Sequence, residues 1–217
     1  MIVAIDGPAG SGKSSTAKGV ASALGFLYLD TGAMYRAVTY GLIKLSIKFT
    51  DLDKVKNFLN KISLNFNNNG LKIKLNGKDI SKEIRNDNVT SNVSHVSSLK
   101  IVREKMVLLQ KNIVKNNNSV VEGRDIGTIV FPNADLKFYL EADLNQRGIR
   151  RKNQNLKHGI NKGINEIIVE LSTRDKMDSS RINSPLYKAR DAIIVDTSNL
   201  TLKDQISLIC NHINNLN

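Results

Sequence analysis

The 217-residue chain has one cysteine, no tryptophan, three prolines and only 5% aromatic residues. Each shortage excludes something. A single thiol cannot close an internal disulfide, which fits a reducing compartment and a cytoplasmic protein rather than a stapled secreted fold. Cys210 falls with Leu202, Ile206 and Ile213 on the apolar side of a helical pattern, so it reads as a small core residue rather than a nucleophile. The three histidines, His95, His158 and His212, are scattered and show no metal-ligand spacing. No apolar run approaches the roughly 18 residues of a membrane span, so no membrane partner is expected. The sequence enters its first strand pattern at once, without the charged and apolar regions of a signal peptide.

The scarcity of aromatics also bears on the charge. Lys and Arg total 32 against 20 Asp and Glu, a net charge of +12. Such a surplus has two readings, a nucleic-acid binder or an enzyme for small polyanionic substrates. No basic stripe is interleaved with aromatics, as stacking platforms require, so the second is favoured and no nucleic-acid partner is expected. The length and the 41% hydrophobic fraction fit one globular domain with a good core and room for small insertions.

What is present begins with Gly7-Pro8-Ala9-Gly10-Ser11-Gly12-Lys13-Ser14, which fits G-x-x-x-x-G-K-[ST] at every fixed position. Before it, Ile2-Val3-Ala4-Ile5 has the apolar signature of a buried strand. After it, residues 15–24 are Ala-rich and read as a helix. A chance Gly-rich turn does not account for those flanks. Glycines let backbone wrap closely around an anion, and the loop and helix amides, through Ser15, then point at phosphate oxygens. Lys13 can reach the β- and γ-phosphates, and the Ser14 hydroxyl can ligate Mg²⁺. The chain is expected to bind a nucleoside triphosphate.

In order along the chain, residues 26–30 form a second strand running into Thr31-Gly32-Ala33-Met34-Tyr35-Arg36, with Thr31 as the helix N-cap. A βαβ unit carrying a phosphate loop implies a doubly wound parallel sheet, with ligands outside the carboxyl ends of its strands. A helix is expected over 51–59. Residues 62–66, 71–75 and 78–80 alternate apolar and polar, with turn chemistry at Asn67-Asn68-Asn69-Gly70 and Asn76-Gly77. They predict an antiparallel meander, an inserted subdomain over 61–100 that also holds a polar helix or two. An amphipathic helix follows over 99–115. Strands are expected at the start of Ser119-Val120-Val121-Glu122-Gly123-Arg124-Asp125, at 136–140 and at 192–196. Arg147, Arg150 and Arg151 are spaced for one side of a helix. Residues 153–165 are polar and Gly-containing and read as a mobile segment. Helices over 166–177 and from Leu202 complete the chain, with Asp178 and Arg181 following the first of these.

One phosphate loop, many separated arginines and no candidate base suit phosphoryl transfer to another phosphate, which needs positioning and cations rather than an activated hydroxyl. Arginines of a mobile segment can close over the phosphates and exclude water.

The whole sequence resembles the bacterial cytidylate kinases, members of the nucleoside monophosphate kinase group. The markers are Ile5-Asp6-Gly7 through Ser14, Leu29-Asp30-Thr31-Gly32-Ala33-Met34-Tyr35-Arg36, Glu122-Gly123-Arg124-Asp125-Ile126-Gly127-Thr128-Ile129-Val130-Phe131-Pro132 and Arg174-Asp175. The first is shared by many phosphate-loop proteins; the second and third are far more specific. The resemblance implies an α/β fold with a five-stranded parallel sheet flanked by helices. It implies a core over 1–60 and 101–217, a monophosphate-binding insert over 61–100 and a lid over 148–165. It implies ATP and Mg²⁺ with CMP or dCMP as acceptor, and a monomer. Lys13 and Ser14 would hold the ATP phosphates and Mg²⁺. Arg36, Arg124 and Arg174 would clamp the acceptor phosphate, where Thr31 also offers a hydroxyl. Ser94, Arg103 and Asp125 would read cytosine, with Arg181 nearby, and Arg174 and Asp178 would reach the pentose.

Three departures stand out. Thr31 sits where the family often has Ser, and Glu122 replaces a frequent Asp, with little consequence expected. Met177 and Ser179 fall where relatives are richer in arginine, so the lid clamp leans more on Arg147, Arg150 and Arg151; which of them touches phosphate is left open. Among rivals, a regulatory GTPase needs N/T-K-x-D, and Asn161-Lys162-Gly163-Ile164 lacks the Asp. A nucleic-acid-dependent ATPase lacks a stacking motif. A UMP/CMP or AMP kinase of the same architecture is the nearest alternative.

Overall fold

β1 (Ile2–Asp6) is buried from Val3 onward, as befits a strand covered on both faces. The computed structural model describes residues 1–67, 72–157 and 159–216. The expected turn at 67–70 lies outside the described residues from Asn68 onward, as do Leu71 and His158. The chain next forms α1 (Lys13–Leu24), β2 (Leu27–Asp30), α2 (Thr31–Lys44), α3 (Leu52–Lys61), β3 (Leu64–Asn67), β4 (Lys72–Leu75) and β5 (Lys78–Asp79). A 3₁₀ turn (Glu83–Arg85) leads to α4 (Asp87–Ser98), α5 (Lys100–Val114) and β6 (Ser119–Glu122). A π-helical turn (Ile126–Val130) precedes β7 (Leu136–Glu141), α6 (Leu144–Lys157), α7 (Ile164–Ser179), β8 (Ile193–Asp196) and α8 (Leu202–Asn214).

The main sheet has five strands in the order β2-β6-β1-β7-β8. β1 pairs in parallel with β6 and with β7, and β7 with β8, so the expected parallel α/β sheet is the observed one. The antiparallel meander is also present, as a separate sheet ordered β3-β4-β5. Asn76, at φ 48°, and Gly77, at φ 81°, make its second turn, which is the left-handed chemistry that Asn-Gly predicts. By its internal contacts the chain forms two compact units, Met1–Phe26 with Asn118–Asn217, and Leu27–Asn117. Among the described residues no helix is long and apolar enough to cross a membrane.

Four local expectations are corrected. The N-cap of α2 is Asp30, whose carboxylate accepts from Ala33 N at 2.8 Å; Thr31 is already helical. Asp30 holds the extended backbone of a cap, at φ −85° and ψ 94°, and its carboxylate is the stronger acceptor. Residues 153–165 are not one irregular segment. α6 runs to Lys157, and Ile160 N then bonds back to Asn155 O at 3.0 Å beside Gly159, at φ 73°, while α7 begins at Ile164. Asp178 lies within α7 rather than after it. The buried face of α8 is Gln205, Ile209 and Ile213; Cys210 is only half-buried and Leu202 is exposed, because the helix is turned toward the Gln205 side. Burial still pushes the Cys210 thiol up, away from reactivity.

Candidate active site

In the unit built on β1, the strand ends in a loop that only glycine permits. A Cβ on Gly7, at φ 146°, would lie 2.0 Å from the Leu140 carbonyl oxygen, and Gly12 enters the helix at φ 93°. No side chain caps α1 and no acidic residue stands in its first turn, so its leading amides are left to an anion. Lys13 is buried, and its Nζ donates to Pro8 O at 2.6 Å and to Ser11 Oγ at 3.4 Å. Burial, followed by the nearby Arg124 charge, pushes its ammonium well below the ordinary lysine range. A bound polyphosphate would reverse that push.

Ser14 Oγ donates to Glu122 Oε2 at 2.8 Å, across from the end of β6. A hydroxyl braced by a carboxylate is a hard oxygen set. Mg²⁺ takes only one or two protein ligands beside phosphates and waters, so these residues fit it. Among the described residues no group of three or more His, Cys, Asp or Glu is arranged to hold a metal, and such a site does not need one.

Asp178, almost fully buried on α7, sits among three guanidinium groups. Arg124 Nε donates to its Oδ2 at 2.9 Å, Arg181 bonds its Oδ1, and Arg174 Nε lies 4.0 Å from Oδ2. Burial pushes the Asp178 carboxyl up, but Arg124, Arg181 and Arg174 outweigh it and hold the group below its usual range. Arg174 is pushed down to about 10, first by burial and then by the charge of Arg124. Three cations around one carboxylate leave a surplus of positive charge suited to an anion.

Asp6, at the end of β1, accepts from Ile126 N at 2.9 Å and Gly127 N at 2.8 Å. Burial dominates and raises its carboxyl to about 6, despite those two amides and Lys13. Asp125, also buried, immediately precedes the π-helical turn.

The α6 arginines are braced around the loop. Arg147 bonds Ala9 O at 3.1 Å and pairs with Asp175, whose Oδ1 accepts from Ala9 N at 3.1 Å. Arg150 donates to Thr197 Oγ1 at 3.0 Å and to Thr197 O, and Thr197 Oγ1 donates to Ser11 O at 2.9 Å. Arg151 donates to Gln154 Oε1 at 3.1 Å.

In the unit of residues 27–117, Thr31 is buried in the first turn of α2. Arg36 donates to Thr90 Oγ1 at 2.9 Å and to Ile84 O at 3.4 Å. Ser94 is buried on α4. Arg103 donates to Ser97 O at 3.2 Å and stacks over the Tyr35 ring, 5.3 Å from its centroid. The sequence pattern had not assigned roles to Asp6, Glu122, Asp175 or Thr197 in the first unit, or to Tyr35, Thr90 or Ser97 in the second. Asp6, Tyr35, Glu122 and Asp175 carry a signal only as members of the marker segments, and Thr90, Ser97 and Thr197 carry none.

The family model for cytidylate kinase matches residues 3–215. A cytidylate kinase from Fusobacterium nucleatum subsp. nucleatum is 47% identical over 209 residues, covering 96% of this chain and 95% of the relative. One from Halalkalibacterium halodurans is 41% identical over 215 residues, covering 98% and 97%. Among solved structures, the shikimate kinase of Acinetobacter baumannii in complex with shikimate aligns with a TM-score of 0.50 at 14% identity, over 99% of this chain and 93% of that one, a likeness of fold alone. With its phosphate loop, its five-stranded parallel sheet and this end-to-end match, the chain belongs to the cytidylate kinase family.

Proposed function

We propose that the chain transfers the γ-phosphoryl group of ATP to CMP or dCMP, giving ADP and CDP or dCDP. The observation that carries this reading is the family match over residues 3–215. An acceptor phosphate oxygen attacks the γ-phosphorus as the bond to the β,γ-bridging oxygen breaks. That oxygen is already ionised near neutral pH, so no general base is required. Lys13 stabilises charge on the transferring group, and the loop Gly7–Ser15 holds the donor phosphates through its backbone amides, apart from Pro8, which has none, and Ala9, whose amide bonds Asp175. Ser14, braced by Glu122, would hold Mg²⁺. Mg²⁺, when bound, neutralises charge developing on the β- and γ-oxygens. Arg36, Arg124 and Arg174 bind the acceptor phosphate, with Thr31. Asp178 and Arg174 bind the pentose. Ser94, Arg103 and Asp125 read the base, beside Arg181. Residues 61–100 serve as the acceptor-binding insert and 148–165 as the lid, with Arg147, Arg150 and Arg151 at its base. The same reading makes the enzyme a cytoplasmic monomer.

Base choice tests it. Uracil has an acceptor where cytosine has its amino donor, and an N3–H where cytosine has an acceptor. A site built from Asp125 and Arg103 sets a carboxylate against O4 and a guanidinium against N3–H. Each buried mismatch costs about 1–3 kcal/mol, so CMP should exceed UMP by roughly two to four decades in kcat/KM. An ADP-release assay across nucleoside monophosphates measures this. UMP turnover within about threefold of CMP, or ATP consumption independent of acceptor, defeats the reading.

A further inference from the structure

We propose that Asp6 is a positioning residue for base choice, its carboxylate fixing the Ile126 and Gly127 amides and thereby the Asp125 side chain. This rests on the reading of Asp125 as a cytosine contact. Asp6 is 5% exposed, and its own backbone leads directly into Gly7 of the phosphate loop. Its two oxygens each take one amide, at 2.9 and 2.8 Å, from residues about 120 positions away in sequence. Those amides directly follow Asp125, whose backbone, at φ −143° and ψ 25°, belongs to neither helix nor strand. From the other side, Ile129 N and Val130 N both donate to Asp125 O, at 2.9 and 3.1 Å. The segment is packed tightly onto its neighbours. A Cβ on Gly127 would meet the Lys137 side chain at 3.0 Å and Asp6 Oδ2 at 3.5 Å. Asp125 is thus a buried carboxylate at the head of a short turn, and Asp6 accepts from the two amides that open that turn.

A buried carboxylate with only amide partners is a costly anchor for a fold, which points to a use beyond folding. The charged and titratable groups facing it are Lys13 from α1, Asp125 from the turn and Tyr139 from β7. Burial raises the Asp6 carboxyl to about 6. On protonation one oxygen becomes a donor and a weaker acceptor, so one point of the two-point hold weakens. The folded-state value lies above the unfolded one. Stability from this group is therefore fully present below about pH 4 and is lost as pH rises through about 6. Asn at this position resembles the protonated acid in having one carbonyl acceptor, a donating group in place of the second oxygen and no charge. Function and stability should then move in opposite directions.

The experiment compares wild type and Asp6→Asn between about pH 5.5 and 8.5, reading kcat/KM for CMP and for UMP. Their ratio cancels the titration of the acceptor phosphate, near pH 6 in both substrates. In wild type the ratio should be constant above about pH 7 and fall several-fold toward pH 5.5. In Asp6→Asn it should be at least about tenfold lower at pH 8 and flat with pH. The thermal midpoint of the variant at pH 8 should equal or exceed that of wild type, and amide exchange at Ile126 and Gly127 should quicken in the ligand-free protein. A variant that keeps the wild-type ratio and its pH dependence overturns the proposal. So does a lowered midpoint with equal losses for both substrates, the mark of a merely structural role. A wild-type protein without cytosine preference overturns the functional reading, and this one with it; preference present but indifferent to Asp6→Asn overturns this one alone.

Discussion

Lys13 is buried and carries a charge that its surroundings disfavour, with Pro8 O and Ser11 Oγ as its hydrogen-bond acceptors. A residue in that position is set up for an anionic ligand rather than for the core. Lys13→Ala should therefore lower kcat by about a thousandfold or more, several kcal/mol at the transferring phosphoryl group. The variant should melt no lower than wild type, since it removes a buried and disfavoured charge. Turnover near normal, or loss of the folded state by circular dichroism, would contradict this placement. Lys13 and Ser14 were legible because the motif concentrates them in eight residues. Glu122 was not: its bond to Ser14 spans 108 positions, and nothing local in the sequence marks a carboxylate that holds the Ser14 hydroxyl. Asp6 and Thr197 were hidden for the same reason. Asp6 bonds backbone amides of a remote segment, Thr197 bonds Ser11 O and the Arg150 side chain, and no residue type announces such contacts.

Strands and most helices were legible because burial writes a period into the sequence. β1 is a short apolar run, β6 and β7 are short and mostly apolar around Val120-Val121 and Phe138-Tyr139-Leu140, and β3 and β4 alternate. α6 shows where that fails. Its buried residues are Arg147, Gly148 and Asn155, so no apolar stripe marks its second half, and residues 153–157 pass for loop. The packing partner supplies the apolar surface instead. A Cβ on Gly148 would come within 2.9 Å of Ile168 Cγ1 and 3.2 Å of Ile164 Cδ1, so α6 and α7 meet at a glycine. Both helices also grip the phosphate loop, Arg147 through Ala9 O and Asp175 through Ala9 N. Gly148→Val should wedge the pair apart and cost about 1–3 kcal/mol of stability. It should also raise the KM for ATP more than that for CMP, because the displaced groups hold the donor loop. Thermal melts and initial-rate kinetics check both parts. A variant of unchanged midpoint and KM would show that Ile164 and Ile168 yield without moving α7.

At the scale of the molecule, length suggests one domain with room for small insertions, and the internal contacts group into two compact units with boundaries at Phe26 and at Asn117. The run Asn116-Asn117-Asn118 marks the second boundary in the sequence, whereas nothing in the composition marks Phe26; the parallel sheet is legible from one strand–loop–helix and the crossovers that follow it. The charge of +12 is the other whole-molecule property, and it admits two classes of partner. For small anionic substrates, a distributed positive field speeds encounter and is screened by salt within a Debye length, about 10 Å at 0.1 M. For duplex nucleic acid, phosphate contacts release counterions, and log affinity falls linearly with log salt at a slope of about −0.9 per contact. The two diverge in measurable ways. If the field serves nucleotides, raising monovalent salt from about 0.02 to 0.3 M should lower kcat/KM for CMP several-fold while kcat changes by less than about twofold, because screening acts on encounter and not on the bound complex. A labelled duplex at about 0.15 M salt should bind no tighter than the non-specific range of roughly 10⁻⁴ to 10⁻⁶ M. Nanomolar duplex binding with a steep salt slope, together with a salt-insensitive kcat/KM, would mean that the charge answers to nucleic acid and that the kinase site alone does not account for it.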